Sequence, residues 1–306
     1  MNQEQLNIKI MKTILLLTDF SIKADHAAFY ALKLAQKIKA NLLLCNVFPE
    51  SSVDFASAQM ALPAITNNTF EENSISDLAE LAGRLHFELS KNIADAQFIP
   101  EIEQCSMPGS VSDAVNQITS SRHIMMAVIG THSNGLLGAF FQGDHASEII
   151  EKANCPVLVL PYMVPFHSFK KISFATDLTH NGMDILHSLY GLTKYFDSEI
   201  LITYVIEENS STNEEQQVIK QFYNQIPASI NYPKINYRTI KSNNITAGLN
   251  WLTAHTDIDL LVLIHRKRSF FQRLFEESVT HKLAAHLVKP MLVFPGSKVY
   301  EPMPVV

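Results

Sequence analysis

Four of the ten glycines in this 306-residue chain fall within fourteen residues, at Gly130, Gly135, Gly138 and Gly143. Bunched glycines let backbone N–H groups come close to an anion, and a helix that starts there adds unpaired N–H groups and the positive end of its dipole. The run Gly130-Thr131-His132-Ser133, nine further residues, then Gly143-Asp144-His145 at the start of a helical stretch reads as a cradle for a phosphate. Two more features sit where apolar runs end: Thr18-Asp19 after ILLL, and Val47 after LLLCN. Asp19 and the similarly placed Asp177 also suit a plain helix cap.

The residue types that do covalent or metal chemistry are not arranged for it. His132-Ser133-Asn134-Gly135 comes near the strained G-x-S-x-G turn of hydrolases, but Thr131 stands where its first glycine should be. No G-x-x-x-x-G-K-[ST] loop occurs. Twelve histidines and three cysteines show no HxxxH or CxxC spacing, and His281 and His286 are five apart, off a shared helical face. No catalytic residue and no metal ligand is assigned, and the balance is against an enzyme.

The elements that must position the glycine cluster follow from hydropathy. Apolar runs at 14–17, 42–47, 124–130 and 156–160 read as buried strands, with a weaker one at 98–102. Between them, Ala24, Ala27, Ala28, Ala31, Leu32, Ala35 and Ile38 keep helical spacing, as do Ile75, Leu78, Leu81, Leu85 and Leu89. Further helices are expected at 111–121 and 144–153. Beyond residue 169 the order repeats, with strands at 172–175, 200–205, 235–239, 260–264 and 291–294 and helices at 183–195, 214–224, 246–255 and 279–287. Continuous apolar strands alternating with helices give a parallel sheet covered on both faces. Cys45 and Cys155 fall in such strands and are expected to be inert core residues, and Trp251 is expected in core or interface packing.

The repeat is visible in the letters. KTILLLTDFS (12–21) returns as KKISFATDLT (170–179) and NLLLCNV (41–47) as EILITYV (199–205), both at an offset of 158. IMMAVIG (124–130) returns as IDLLVLI (258–264) and CPVLVLP (155–161) as KPMLVFP (289–295), at an offset of 134. The first half therefore carries 24 extra residues after Val47, placed at about 51–69. The expected domains are 1–162, with 1–10 a loose extension, and 170–306. The short linker 163–169 makes the halves pack as a pseudo-twofold pair.

Composition excludes whole classes. Hydrophobic residues at 47% and charged residues at 18% describe a folded chain, and a net charge of −6 offers no positive field for nucleic acid. No apolar run has the length of a membrane span, and an odd number of cysteines without pairing suits a reducing cytoplasm.

The two halves resemble the universal stress proteins of the adenine nucleotide alpha hydrolase-like superfamily, as two tandem copies spanning nearly the whole chain. The residues that carry the resemblance are Asp19 after the first strand, Val47 at the end of the second, Gly130 and Gly143 with the nine-residue spacing between Ser133 and Gly143, and the closing CPVLVLP. The resemblance implies two Rossmann-like open parallel five-stranded sheets, packed as a pseudo-dimer through their last strands. It implies that Thr18, Asp19 and Val47 hold adenine and ribose, and that Gly130, Thr131, His132, Ser133, Gly143, Asp144 and His145 face the phosphates. The ligand it implies is ATP or a related adenine nucleotide, in the first half only, with Mg²⁺ as its companion.

Two departures bear on affinity. Ser133 replaces the family's second glycine and Asp144 its Ser/Thr. A carboxylate about 4 Å from a phosphate costs about 1 kcal/mol in water and about 4 at an effective dielectric near 20. That weakens binding about fivefold to a thousandfold, unless Mg²⁺ held by Asp144 offsets it. In the second half Ile264-His265-Arg266-Lys267 and Glu277-Ser278 retain none of the glycines, so its site is expected to be lost. Its basic residues Arg266, Lys267, Arg268 and Arg273 read as a solvated loop balanced by Glu276 and Glu277.

The expected function is a cytoplasmic binding or regulatory module of the stress response. One alternative is slow Mg²⁺-dependent ATP hydrolysis; another is an interaction scaffold without a small ligand, using 51–69 as its partner surface. The expected partners are a small nucleotide-like ligand and the other half of the same chain, without nucleic acid or membrane. A homodimer and the identity of any protein partner stay open.

Overall fold

The computed structural model describes residues 12–50, 67–91, 97–131, 144–178, 180–207, 213–265 and 289–296. In the first half the elements run β1 (Thr13–Leu17), α1 (Ile22–Ile38), β2 (Asn41–Phe48), α2 (Asn67–Ser90), β3 (Ile102–Pro108), α3 (Val111–Ser121), β4 (Ile124–Thr131), α4 (Asp144–Lys152) and β5 (Val157–Pro161). The second half follows as β6 (Lys171–Ala175), α5 (His180–Phe196), β7 (Glu199–Glu207), α6 (Asn213–Ser229), β8 (Ile235–Ser242), α7 (Ile245–His255), β9 (Leu260–His265) and β10 (Met291–Pro295).

The strands form one ten-stranded sheet in the order β3-β2-β1-β4-β5-β10-β9-β6-β7-β8. Within each half all pairings are parallel, as the apolar strands require, and the halves meet where β5 and β10 pair antiparallel, Val157 opposite Val293 and Val159 opposite Met291. The two expected five-stranded sheets are thus continuous through their last strands. The antiparallel seam has a geometric consequence: the carboxyl ends of the first half's strands and those of the second lie at opposite edges of the sheet.

Period-two alternation on buried strands supplies two cores. Ile14, Leu16, Leu42 and Leu44 face one side, under α1, α2, α5 and α6, with Leu81, Leu189 and Phe222 among the side chains covering them. Leu15, Leu43 and Ala127 face the other, under α3, α4 and α7, with Val115, Ile150 and Leu252. An aromatic chain fixes the linker between the halves: Tyr30 to Phe166 at 5.1 Å, Phe166 to Phe169 at 6.5 Å and Phe169 to Phe196 at 4.9 Å between ring centroids. The Lys12 ammonium also donates to the Tyr195 hydroxyl across the same junction and lies over the Tyr195 ring.

Three expectations need correction. The third strand begins at Ile102, where that at 98–102 was expected to end: Pro100 has no N–H to offer a ladder, and Ile99 is exposed, so pairing to β2 starts only at the Leu42↔Ile102 pair. Helix α2 starts eight residues before Ile75, so 67–69 of the expected extra segment are helical. Its remainder, 51–66, lies outside the described residues, as do 1–11 and the expected helix at 279–287. Trp251 is not in the core but 44% exposed, stacked on His255 at 5.0 Å, because Leu249 and Leu252 take the sheet-facing side of α7.

Candidate functional site

In the order β2-β1-β4, α1 leads from β1 to β2 on one face and α3 leads into β4 on the other, and the carboxyl ends of such strands border the crevice where a parallel sheet receives ligands. Thr18, Asp19, Val47, Gly130 and Thr131 all lie at that edge. Thr18 donates its N–H to the Cys45 carbonyl at 3.0 Å, which carries the β1–β2 ladder one step past β1. Its hydroxyl accepts from the Phe20 N–H at 3.0 Å, while Asp19 Oδ1 accepts from the Ser21 N–H at 3.0 Å and Ser21 Oγ caps α1 through the Ala24 N–H. The turn passes through Phe20 at φ 58, a left-handed conformation that these local bonds stabilise. Thr18 is thus buried and spent on the turn, and Asp19 is exposed at its tip.

The second half builds the same turn: Thr176 donates to the Thr203 carbonyl, its hydroxyl accepts from the Leu178 N–H, and Leu178 has φ 62. The repeated Thr-Asp pair is therefore a device for leaving a strand and starting a helix in both halves. What separates the halves lies around it.

Gly130 is the first difference. A Cβ there would sit 2.7 Å from the Lys23 carbonyl oxygen and 3.0 Å from Ala27 Cβ, so its absence lets the first turn of α1 lie directly on the end of β4. The second half has Ile264 at this place. The second difference is at Val47, which is partly exposed and packs with Met107, its register partner on β3. Its counterpart Val205 is buried under α7, where a Cβ on Gly248 would come within 2.5 Å of Val205 Cγ1. Among the described residues the end of the second strand is thus less covered at Val47 than at Val205, on which α7 rests directly.

A polar relay that the sequence reading did not find holds the first-half turn from behind. The Ser106 hydroxyl donates to Ser74 Oγ at 2.6 Å, Ser74 Oγ donates to Asn46 Oδ1 at 2.8 Å, and Asn46 Nδ2 donates to the Thr18 carbonyl at 2.8 Å. Asn46 and Ser74 are buried, so each bond carries the desolvation cost of its partners. The one hint in the sequence is a lone asparagine inside the apolar run of β2.

Of the glycine loop, Thr131 ends β4 and Asp144 and His145 open α4. His132, Ser133 and Gly143 lie outside the described residues, as does the basic segment around Arg266 to Arg273. The cysteines also differ from expectation. Cys155 is buried in the turn before β5 rather than in the strand, and Cys45 on β2 faces Cys105 on β3 as a register pair. Among the described residues no cluster of three or more His, Cys, Asp or Glu could hold a metal ion, and no helix is long and apolar enough to cross a membrane.

The universal stress protein family model matches residues 11–161 and again 168–295. The chain belongs to the universal stress protein family. A universal stress protein from Thermus aquaticus is 25% identical over 151 residues, 49% of this chain and 99% of that protein. Across the tandem, the solved universal stress protein of Archaeoglobus fulgidus is similar in fold, with a TM-score of 0.60 at 13% identity over 92% of this chain and 96% of that one. The cytoplasmic domain of a prokaryotic cation chloride cotransporter shares the fold at a TM-score of 0.54 and 11% identity, over 95% of this chain and 98% of that one. Tandem universal stress domains are thus the architecture of the whole molecule.

Proposed function

We propose that this tandem universal stress protein is a cytoplasmic binding or regulatory module whose first domain, up to residue 162, takes an adenine nucleotide, while the second, from 170, serves as its structural partner. The supporting observation is the asymmetry at one edge feature. Val47 is partly exposed beside the Thr18-Asp19 turn, whereas Val205 is buried beneath Gly248. In this reading Asp19 and Val47 border the nucleoside, and the close approach that Gly130 allows sets the start of α1 beside the end of β4. At the nucleoside end Asp19 is exposed and Val47 is partly exposed, which supports the reading. At the phosphate end, the N-terminus of α4 favours an anion while Asp144 opposes it, and Mg²⁺ is the companion that would relieve the opposition.

The test is a calorimetric titration of the full chain with ATP, without and with Mg²⁺, beside Asp144→Ser. Without Mg²⁺, removing the carboxylate is expected to tighten binding about fivefold or more, within the range set by the charge repulsion, and Mg²⁺ is expected to narrow the difference. Failure of both proteins to bind would overturn the nucleotide reading and leave a scaffold without a small ligand. Phosphate release that Asp144→Ser abolishes would convert the module into a slow hydrolase.

A further inference from the structure

The geometry points to Cys45 and Cys105 as a redox-responsive dithiol of the first domain, closing to a disulfide when the protein meets a hydroperoxide. The two residues are register partners on the parallel strands β2 and β3. Adjacent strands lie about 4.8 Å apart, inside the roughly 4.4–6.8 Å Cα separation that disulfides use. Both side chains face the core under α3, where Cys105 packs against the cluster that contains Cys45. Both thiols are free, and Cys45 Sγ lies 4.0 Å from the Asn46 carbonyl oxygen.

The two cysteines differ in a way that suits the chemistry. Cys45 is buried and Cys105 is partly exposed on the outermost strand of the sheet. The neighbouring Cys45 side chain and the Arg122 guanidinium draw the Cys105 thiol down to about 6, while the neighbouring Cys105 and burial push the Cys45 thiol up. Cys105 is thus the thiolate that meets the oxidant and Cys45 the thiol that resolves it.

The Cys105 sulfur attacks one oxygen of hydrogen peroxide, the O–O bond breaks, hydroxide leaves, and Cys105 becomes a sulfenic acid. Cys45 then attacks that sulfur, its proton and the sulfenic hydroxyl leave as water, and the S–S bond forms. Two electrons pass from the sulfurs to the peroxide, which ends as two waters. Among the described residues β3 has no strand on its outer side, so a small shift of Cys105 toward Cys45 displaces no other strand. The second domain has Thr203 opposite Arg238 at the matching register, so the device belongs to the first domain alone.

The experiment exposes the reduced full-length chain to a small molar excess of hydrogen peroxide. Remaining thiols are blocked under denaturing conditions, and intact mass and disulfide-linked peptides are read. The expected product lacks two hydrogens, carries a Cys45–Cys105 linked peptide, keeps Cys155 alkylatable, and returns to the dithiol with dithiothreitol. Cys45→Ser is expected to stop the disulfide and leave Cys105 oxidised by added oxygen. Cys105→Ser is expected to protect Cys45 from oxidation. Retention of both thiols at peroxide doses that oxidise glutathione, a linkage to Cys155, or a disulfide between chains would overturn the proposal. So would a Cys45–Cys105 bond that forms only as the circular dichroism of the fold is lost.

Discussion

Asn46 joins four elements through one side chain, receiving the Ser74 hydroxyl of α2, itself bonded to Ser106 of β3, and holding the carbonyl of Thr18 where β1 ends. Asn46→Ala would leave the Thr18 carbonyl and the Ser74 hydroxyl without this partner in a buried setting, at a cost of about 1–3 kcal/mol. Urea denaturation should therefore show a lower midpoint with an unchanged slope. A loss below about 0.5 kcal/mol, the range of ordinary surface changes, would mean that the relay does not hold the turn. None of this is visible in the sequence, because its partners are 28 and 32 residues apart and meet only when α2 packs on β2. Asp19, Val47 and Gly130 were legible for the opposite reason: each sits where an apolar run stops, and strand ends mark the ligand edge of a parallel sheet. Thr18 was legible as a position, but the bond its hydroxyl accepts from the Phe20 N–H was not.

Helix position decides how closely the end of each second strand is covered, and α7 shows it most plainly. The missing Cβ of Gly248 lets that helix rest on Val205, with both Val205 methyl carbons within 3.1 Å of where a Cβ would be. Val is stiff about χ1, so it cannot swing aside. Gly248→Ala is expected to cost about 1–2 kcal/mol, overpacking outweighing the helix-propensity gain. Gly83→Ala in α2, where a Cβ would meet nothing within 4 Å, is expected to stabilise by about 0.5–1 kcal/mol. Paired thermal melts check both signs, and a stabilised Gly248→Ala would show that α7 does not close the second site. The same scale shows how elements hide. Buried strands such as β4 and β9 announce themselves as unbroken apolar runs, but β3 (IEQCSMP) lies at the sheet edge with several side chains in water and no pattern to read. Misplacing it by a few residues hid the facing of Cys45 and Cys105, which looked like unrelated cysteines 60 positions apart.

For the whole molecule, the antiparallel seam between β5 and β10 joins the tandem repeats into one sheet and sends their ligand edges in opposite directions. The repeated letters foretold the pairing of the last strands, since CPVLVLP and KPMLVFP are the most similar apolar segments of the two halves and become the seam. They did not foretell a single continuous sheet. With the edges opposed, the two strand-end edges cannot share one ligand, and the closer cover over Val205 supports the proposed reading in which the first domain binds alone. Photolabelling of the full chain with an azido-adenine nucleotide, followed by peptide mapping, tests this most directly. One label per chain is expected, displaced by ATP and carried by peptides around the ends of β1, β2 and β4. Displaceable label in the second domain, or none in the first, would contradict it.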